Sequence, residues 1–424
     1  MPGRDGARYT SQQSVRRLAF PQVVWHVGAC MAIPVLESES AVGAPAGAVA
    51  ASSGQRFYRR ELDGLRFIAF VVVFWHHALP QVVSGWQGYG LSEGVASWLA
   101  AATISGGHGV DLFFALSSYL ITELLLREQE QFGVLSPGKF LLRRALRIWP
   151  LYFAFLFLCS GVVPGFRFKL THSELLAFVL MVGNWHVVWF GFPTAVAAPL
   201  WSISVEEQFY LAWPWLLRRG GRRRLLVVCA AMIAIALGVR TFLALRATPH
   251  PGVWCNTFAR LDAIALGALV AAWDRSRPIA LAPAQRVALL VLAPLVVVAV
   301  THFVPVSLPN ASLHHVWSYL VIDLAAAALL VASLRPAGSA RGLLGSSAFV
   351  YLGRISYGLY VFHALGLKLA GSAVVRLLGP TPIVLRSLVG LGLTIALASL
   401  SYYALERPFL KLKAKFARVA SRPD

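Results

Sequence analysis

The chain has little charge. Asp, Glu, Lys and Arg together make up only 13% of its 424 residues, against 58% hydrophobic. That balance excludes an ordinary soluble protein. Cysteine is scarce as well. Cys30, Cys159, Cys229 and Cys255 show no C-x-x-C spacing, and three of them lie in or beside apolar runs. Neither a disulfide framework nor a metal site is indicated. No internal repeat and no separate soluble domain is visible. The charge that exists is mostly of one sign, with 38 Lys and Arg against 18 Asp and Glu, a net +20. Such an excess can mark nucleic-acid binding. Here the arginines sit in short loops between apolar runs of about twenty residues, which is the pattern of a polytopic helical membrane protein, and no nucleic acid is expected.

Hydropathy places spans near 63–83, 108–126, 147–163, 200–217, 225–244, 258–273, 285–303, 316–334, 348–369 and 383–405. Cytoplasmic loops should hold the basic residues. Arg56, Arg59 and Arg60 put the start of the first span inside, and the loop 81–107, without Lys or Arg, lies outside. The stretch from Ser173 to Phe190 is apolar enough to cross. Counting it would put Arg218, Arg219 and Arg222 to Arg224 on the wrong side, so it reads as a re-entrant or interfacial segment. The expected fold is therefore an all-α bundle of about ten transmembrane helices, both termini cytoplasmic, in residues 56–410. Residues 411–424 read as a basic cytoplasmic tail. Residues 1–55 have the outline of a signal peptide, with Arg16 and Arg17, an apolar stretch and a small-residue run, but Pro21, His26 and Pro34 interrupt it. They read as a disordered or weakly membrane-associated extension.

Ionisable groups inside spans are costly and mark functional candidates. The first span carries Asp63, Arg66, His76 and His77. Arg66 and His77 are eleven residues apart, near three helical turns, so they share a face about 16 Å apart along the axis. The second span holds Asp111, Ser117 and Ser118. Asp111 also suits a helix N-terminus, and the serines suit bonding back to their own helix. Arg143, Arg144 and Arg147 enter the third span from inside, where they suit phosphate or simple topology. Glu206 and Glu207 lie in an apolar run after Trp201 and Ser202. Their directions differ by about 100°, so one at most faces a shared site, and Glu206 is placed to meet His77 or Arg66 across the bundle. Further on come Arg260 and Asp262 in a small-residue stripe, His363, and Glu406 with Arg407, which read as a cap at the inner surface.

Taken together, ELDGLRFIAF with Arg66 and His77, GVDLFFALSSYLI, RRALRIWPLYF, LWSISVEEQFYLAWP, RLDAIALGALVA, LGRISYGLYVFH and LERPF occur in an order that resembles the integral-membrane acyltransferase family 3 over residues 58 to 410. That family includes O-antigen and exopolysaccharide O-acetylases and macrolide O-acylases. The resemblance implies transfer of an acyl group, acetyl first, from acyl-coenzyme A as co-substrate to a hydroxyl of a carbohydrate or glycoside. It assigns His77, Arg66 and Glu206 to the catalytic set, and Arg143, Arg144 and Arg147 to the donor. Asp63, Asp111, Ser117, Trp201, Ser202, Asp262 and His363 are further candidates, and no permanently bound cofactor or metal is implied. This chain departs from the family's L-S-G-F-L-I at Ser118, which replaces a glycine. It also resembles the members without an added hydrolase-like domain. The expected location is a bacterial cytoplasmic membrane, with lipids as surroundings and oligomeric state open. A secondary transporter or exporter of a sugar-containing or lipid-linked substrate is the competing reading, since mid-membrane Arg, His, Glu and Asp also build proton relays. Against it stands the lack of repeated halves.

Overall fold

A computed structural model describes residues 57–304, 310–335, 342–379 and 381–419. The readings made for residues 1–55 fall outside these. The fold is all-α, with no strand among the described residues. The first half holds α1 (Arg60–Ala78), α2 (Val83–Gln87), α3 (Glu93–Ser105), α4 (Gly109–Phe132), α5 (Pro137–Cys159), α6 (His172–Val179), α7 (Gly183–Phe190) and α8 (Trp201–Leu217). The second holds α9 (Gly221–Leu245), α10 (Leu261–Ser276), α11 (Pro283–Phe303), α12 (His314–Ser333), α13 (Ser347–Arg354), α14 (Ser356–Leu378), α15 (Ile383–Ser401) and α16 (Arg407–Ala414).

Among the described residues, five helical stretches are long and apolar enough to cross a membrane: Glu93–Phe132, α9, α11, α12 and Ile383–Ala414. The chain is an integral membrane protein. The count of ten crossings stays an expectation. A helix lies at every expected span, but α8 and α10 have only 17 and 16 residues. The expected outer loop 81–107 is largely helical, because α3 runs through a 3₁₀ turn at Gly106–His108 straight into α4. The expected span 348–369 is broken at Ile355 into α13 and α14. The segment 173–190 is two eight-residue helices with Met181 at φ 58° between them. Each rises only about 12 Å, well short of a bilayer core.

Helix α1 is the hub, touching α3, α4, α12, α13, α14 and α15. Two glycines allow that crowding. A Cβ on Gly353 would overlap the Asp63 carbonyl oxygen, and one on Gly106 would overlap that of Val72. Small residues that let backbones approach are the usual basis of helix association in lipid. Along α4 and α10 the expected small-residue stripe does this work, with Ser118 Oγ donating to the Ile264 carbonyl at 2.6 Å across the contact. The serine thus bonds to its neighbour helix and not to its own. Where α4 gives way to α5, residues 407–419 fold back on both: Arg418 reaches Glu128 at 3.0 Å, and Arg143 donates to the Phe416 carbonyl at 3.1 Å.

Candidate active site

Two cavities meet beside α1, one towards its start and one at its end, called inner and outer after the expected orientation. The inner one, about 80 Å³, is lined by Arg66 from α1, Ser117 from α4, Arg144 and Arg147 from α5, Ser202, Glu206 and Tyr210 from α8, and Tyr357 and Tyr360 from α14. The outer one, about 600 Å³, is lined by His76 and His77 at the end of α1, with Trp201, His250, Trp254, Tyr360 and Lys368. Tyr360 and Val110 belong to both walls. The outer volume lies in the range of small-molecule sites, whereas the inner one holds a few waters at most.

Three guanidinium groups crowd the inner pocket. Asp63 orients the first, accepting from Arg66 at 3.3 Å and from Tyr58 Oη at 2.9 Å. Glu206 accepts from Tyr210 Oη at 3.0 Å, and that hydroxyl lies 2.7 Å from Ser117 Oγ. Glu206 therefore shares the pocket with Arg66, and not with His77. Glu207 turns away and accepts from Trp149 at 3.1 Å, as the angle between adjacent helical residues requires. Ser202 Oγ lies 2.6 Å from Tyr360 Oη, so the residue at the junction is held by the start of α8. Arg143 is not in the pocket. It pairs with Glu128 at 3.1 Å, so of the three basic candidates only Arg144 and Arg147 reach the site.

The imidazoles differ in how they are held. His77 Nδ1 is 2.9 Å from the Val73 carbonyl, an acceptor only, so Nδ1 carries the proton in the neutral ring. That leaves the Nε2 lone pair on the cavity side, and among the described residues no group hydrogen-bonds to it. His76 has both nitrogens engaged, Nδ1 with the Thr103 carbonyl at 3.0 Å and Nε2 with the Gln81 amide at 3.4 Å. His363 is fully buried, its ring centroid 4.9 Å from that of His77, and Nδ1 donates to the Tyr360 carbonyl at 2.5 Å. His363 thus backs His77 and Tyr360 from behind.

Asp111 and Asp262 lie elsewhere. Asp111 pairs with Arg260 and accepts from His108 Nδ1 at 2.7 Å; Asp262 pairs with Arg240 through two contacts of 3.0 and 2.6 Å. All four charged residues are fully buried, and neither carboxylate is in the lining of the two joined cavities. Trp254 and Tyr319 cover Arg260 at 5.2 and 4.7 Å from the ring centroids. These contacts join α4, α9, α10 and α12, and both aspartates lie among them and away from the two joined cavities. Sequence reasoning missed Tyr360, Trp254 and Lys368 as lining residues. YGLYVFH did place Tyr360 three residues before His363, on the same helical face. Glu406 was read as a surface cap, yet it is buried in a π turn (Tyr402–Glu406) and accepts from Ser401 at 3.3 Å. Such turns recur at functional sites.

The model of the acyltransferase domain of family 3 matches residues 59–403. Among curated relatives, "Putative O-acetyltransferase SAS0844" of Staphylococcus aureus (strain MSSA476) is 25% identical over 377 residues, covering 84% of this chain and 58% of the relative. O-acetyltransferase OatA of Staphylococcus aureus (strain NCTC 8325 / PS 47) is 26% identical over 377 residues, covering 84% and 57%. The chain thus spans less than two thirds of the length of these relatives. No solved structure matches it. With a family match across nearly all of the described bundle, and with Arg66, His77 and Glu206 gathered along one pair of joined cavities, the chain belongs to acyltransferase family 3.

Proposed function

We propose that the protein transfers an acetyl group from acetyl-coenzyme A to a hydroxyl of a carbohydrate or glycosylated acceptor. The observation that carries this reading is the shared wall at Tyr360, which joins an arginine-rich inner pocket to a cavity holding a histidine with one open nitrogen. Arg144 and Arg147 suit the donor's phosphates or the polarised thioester, since guanidinium groups hold oxyanions through paired hydrogen bonds. The small inner pocket admits at most the thin end of the donor without opening. His77 Nε2 takes the acceptor hydroxyl's proton as the oxygen attacks the thioester carbon. The carbon–sulfur bond then breaks, and the departing thiolate takes a proton, giving ester and free coenzyme A. The ring's ordinary pKa near 6.5 leaves the base form available at neutral pH. We place the protein in a bacterial cytoplasmic membrane with both described ends inside, so that the basic face meets the cytoplasmic donor.

Thiol release from acetyl-coenzyme A by purified full-length chain tests this. Wild type should turn over with a glycoside acceptor, and His77→Ala should lose about 10²- to 10⁴-fold with its thermal unfolding unchanged. No thiol release from wild type with any acceptor, alongside solute flux in sealed vesicles, would replace the transferase by a transporter.

A further inference from the structure

The outer cavity has a charge pattern that the transfer step does not use. Its lining holds three histidines and two tryptophans, Trp201 and Trp254, and Lys368 is the one Lys, Arg, Asp or Glu among the lining residues. Tyr360, Ala364 and Lys368 recur every fourth residue of α14 and all line the cavity, so they form one stripe along that helix. The ammonium is fixed in place. Nζ donates to the carbonyl of Thr194, a residue of the same wall, at 2.9 Å, and lies 5.2 Å from the Phe168 ring centroid. An ammonium has three donors, and this one spends a single donor on Thr194. Among the described residues Lys368 has no carboxylate partner. A lysine that merely snorkels extends its head into water. Here the head is bonded to a carbonyl of the cavity wall.

Position gives this cation a use. His363, on the same helix, packs against His77 with ring centroids 4.9 Å apart. Lys368 follows His363 by five residues, a rise of about 7.5 Å along α14. The Cα–Cβ bonds of a helix tilt towards its start, which from Lys368 is the direction of His77. One sugar ring spans such a gap, with the reacting hydroxyl on one edge and an acid group on the other. We propose that the outer cavity takes an acceptor sugar that carries a negative charge, carboxylate or phosphate, and that Lys368 selects it. This rests on the transferase reading and names the class of its acceptor. With no Asp or Glu in the lining, an anionic acceptor meets no like charge there. An acid group held on Nζ presents the opposite edge of the ring to His77 Nε2, so recognition of charge also chooses the hydroxyl that reacts.

The test uses purified full-length protein with acetyl-coenzyme A and three acceptors that differ only at the sixth carbon of the sugar: methyl β-glucuronide, methyl β-glucoside 6-phosphate and methyl β-glucoside. In wild type kcat/KM should be about tenfold higher for a charged acceptor than for the neutral one, and the ratio should shrink as salt rises. Lys368→Met should bring the ratio to about one through a higher KM for the charged acceptor, Lys368→Arg should keep it, and Lys368→Glu should invert it. A preference for one anion over the other supports the site and names its acid group. No preference for either, or one that survives in Lys368→Met, overturns the proposal while leaving the transferase standing. A second measurement is independent of turnover. Calorimetric titration of the same three glycosides without donor should give the same ranking in wild type and lose it in Lys368→Met. That ranking without thiol release would keep the charged-acceptor site and count against the transferase chemistry alone.

Discussion

Two sets of membrane-embedded arginines carry the same charge and do different things. Arg240 and Arg260 each meet one aspartate in full burial, and Arg260 is roofed by Trp254 and Tyr319. Arg66, Arg144 and Arg147 surround a small cavity together with Glu206, so guanidinium groups exceed carboxylates in its lining. A paired, roofed arginine is a brace whose energy lies in holding four helices together. Under the proposed function, arginines gathered around space hold a field ready for an anionic donor. Arg66 keeps a carboxylate partner in Asp63, so what sets the two groups apart is the space that one of them lines.

The strongest way to break the comparison is to unpair a brace. Arg260→Ala leaves Asp111 buried without its cation and should cost about 3–5 kcal/mol, seen as a large fall in unfolding temperature and in folded yield. Replacing both partners, as Asp111→Leu with Arg260→Met, should recover much of that loss. A double variant no more stable than the single would show that Arg260 acts through something other than its pair.

The pocket arginines should respond in the opposite sense. Arg144→Ala and Arg147→Ala should each lower kcat/KM for the donor by about 10- to 100-fold, matching the roughly 1.5–3 kcal/mol of a charged hydrogen bond, with stability nearly unchanged. Arg143→Ala is the control. It loses the Glu128 contact and should leave turnover alone. An equal drop for all three would restore the wider basic patch that RRALR suggests when read as a string.

Smaller still is the contrast between Ser117 and Ser118. Ser118→Ala removes the hydrogen bond to Ile264 and should cost about 1 kcal/mol of stability without touching catalysis. Ser117→Ala loosens Tyr210 at the pocket wall, so kinetic constants should move more than unfolding temperature. Reversed readouts for the two serines would put the α4–α10 contact, and not the pocket, at the centre of activity.

Much of this was legible in the chain itself. Apolar runs and basic loops gave the all-α membrane class, and the three-turn spacing of Arg66 and His77 put them on one side of α1, where the structure finds one at each of two joined cavities. Partner choice was not legible. Nothing in the sequence ties Asp262 to Arg240, twenty-two residues away on another helix, or Arg143 to Glu128, because these pairings depend on which helix faces lie together. Backbone detail was hidden for a similar reason. The breaks at Ile355 and Met181 and the π turn before Arg407 have Gly353, Gly183 and Pro408 within two residues, but single Gly and Pro residues are common inside membrane helices and hydropathy averages over them. Glu206 shows the limit well. Its angle from Glu207 showed that only one would face inward, while the helix packing decided that it faces Arg66 and not His77.

At the end of α10 a carboxylate is paired as tightly as in the brace, yet beyond the expected span 258–273. Asp274, in the last turn of α10, accepts from Arg59 at 3.0 Å, Tyr119 at 3.1 Å and the Ile279 amide at 3.1 Å, and from Arg335. Burial alone would raise its pKa. The hydrogen bonds from Arg335 and Ile279, with the charges of Arg59 and Arg335, outweigh burial and hold the carboxyl below its ordinary 3.8. A group depressed on folding stabilises the fold at any pH above its unfolded value, and the contribution fades as pH falls through the lower folded value. Asp274→Asn should therefore unfold at a lower temperature than wild type at pH 7, and the gap should narrow below about pH 4. The effect should be the smallest of the four, since Arg335 is partly exposed and water screens the pair. A gap unchanged between pH 7 and pH 3 would mean that Asp274 acts through shape and hydrogen-bond count, which asparagine lacks at any pH, and that charge pairing decides stability only where the helices exclude water.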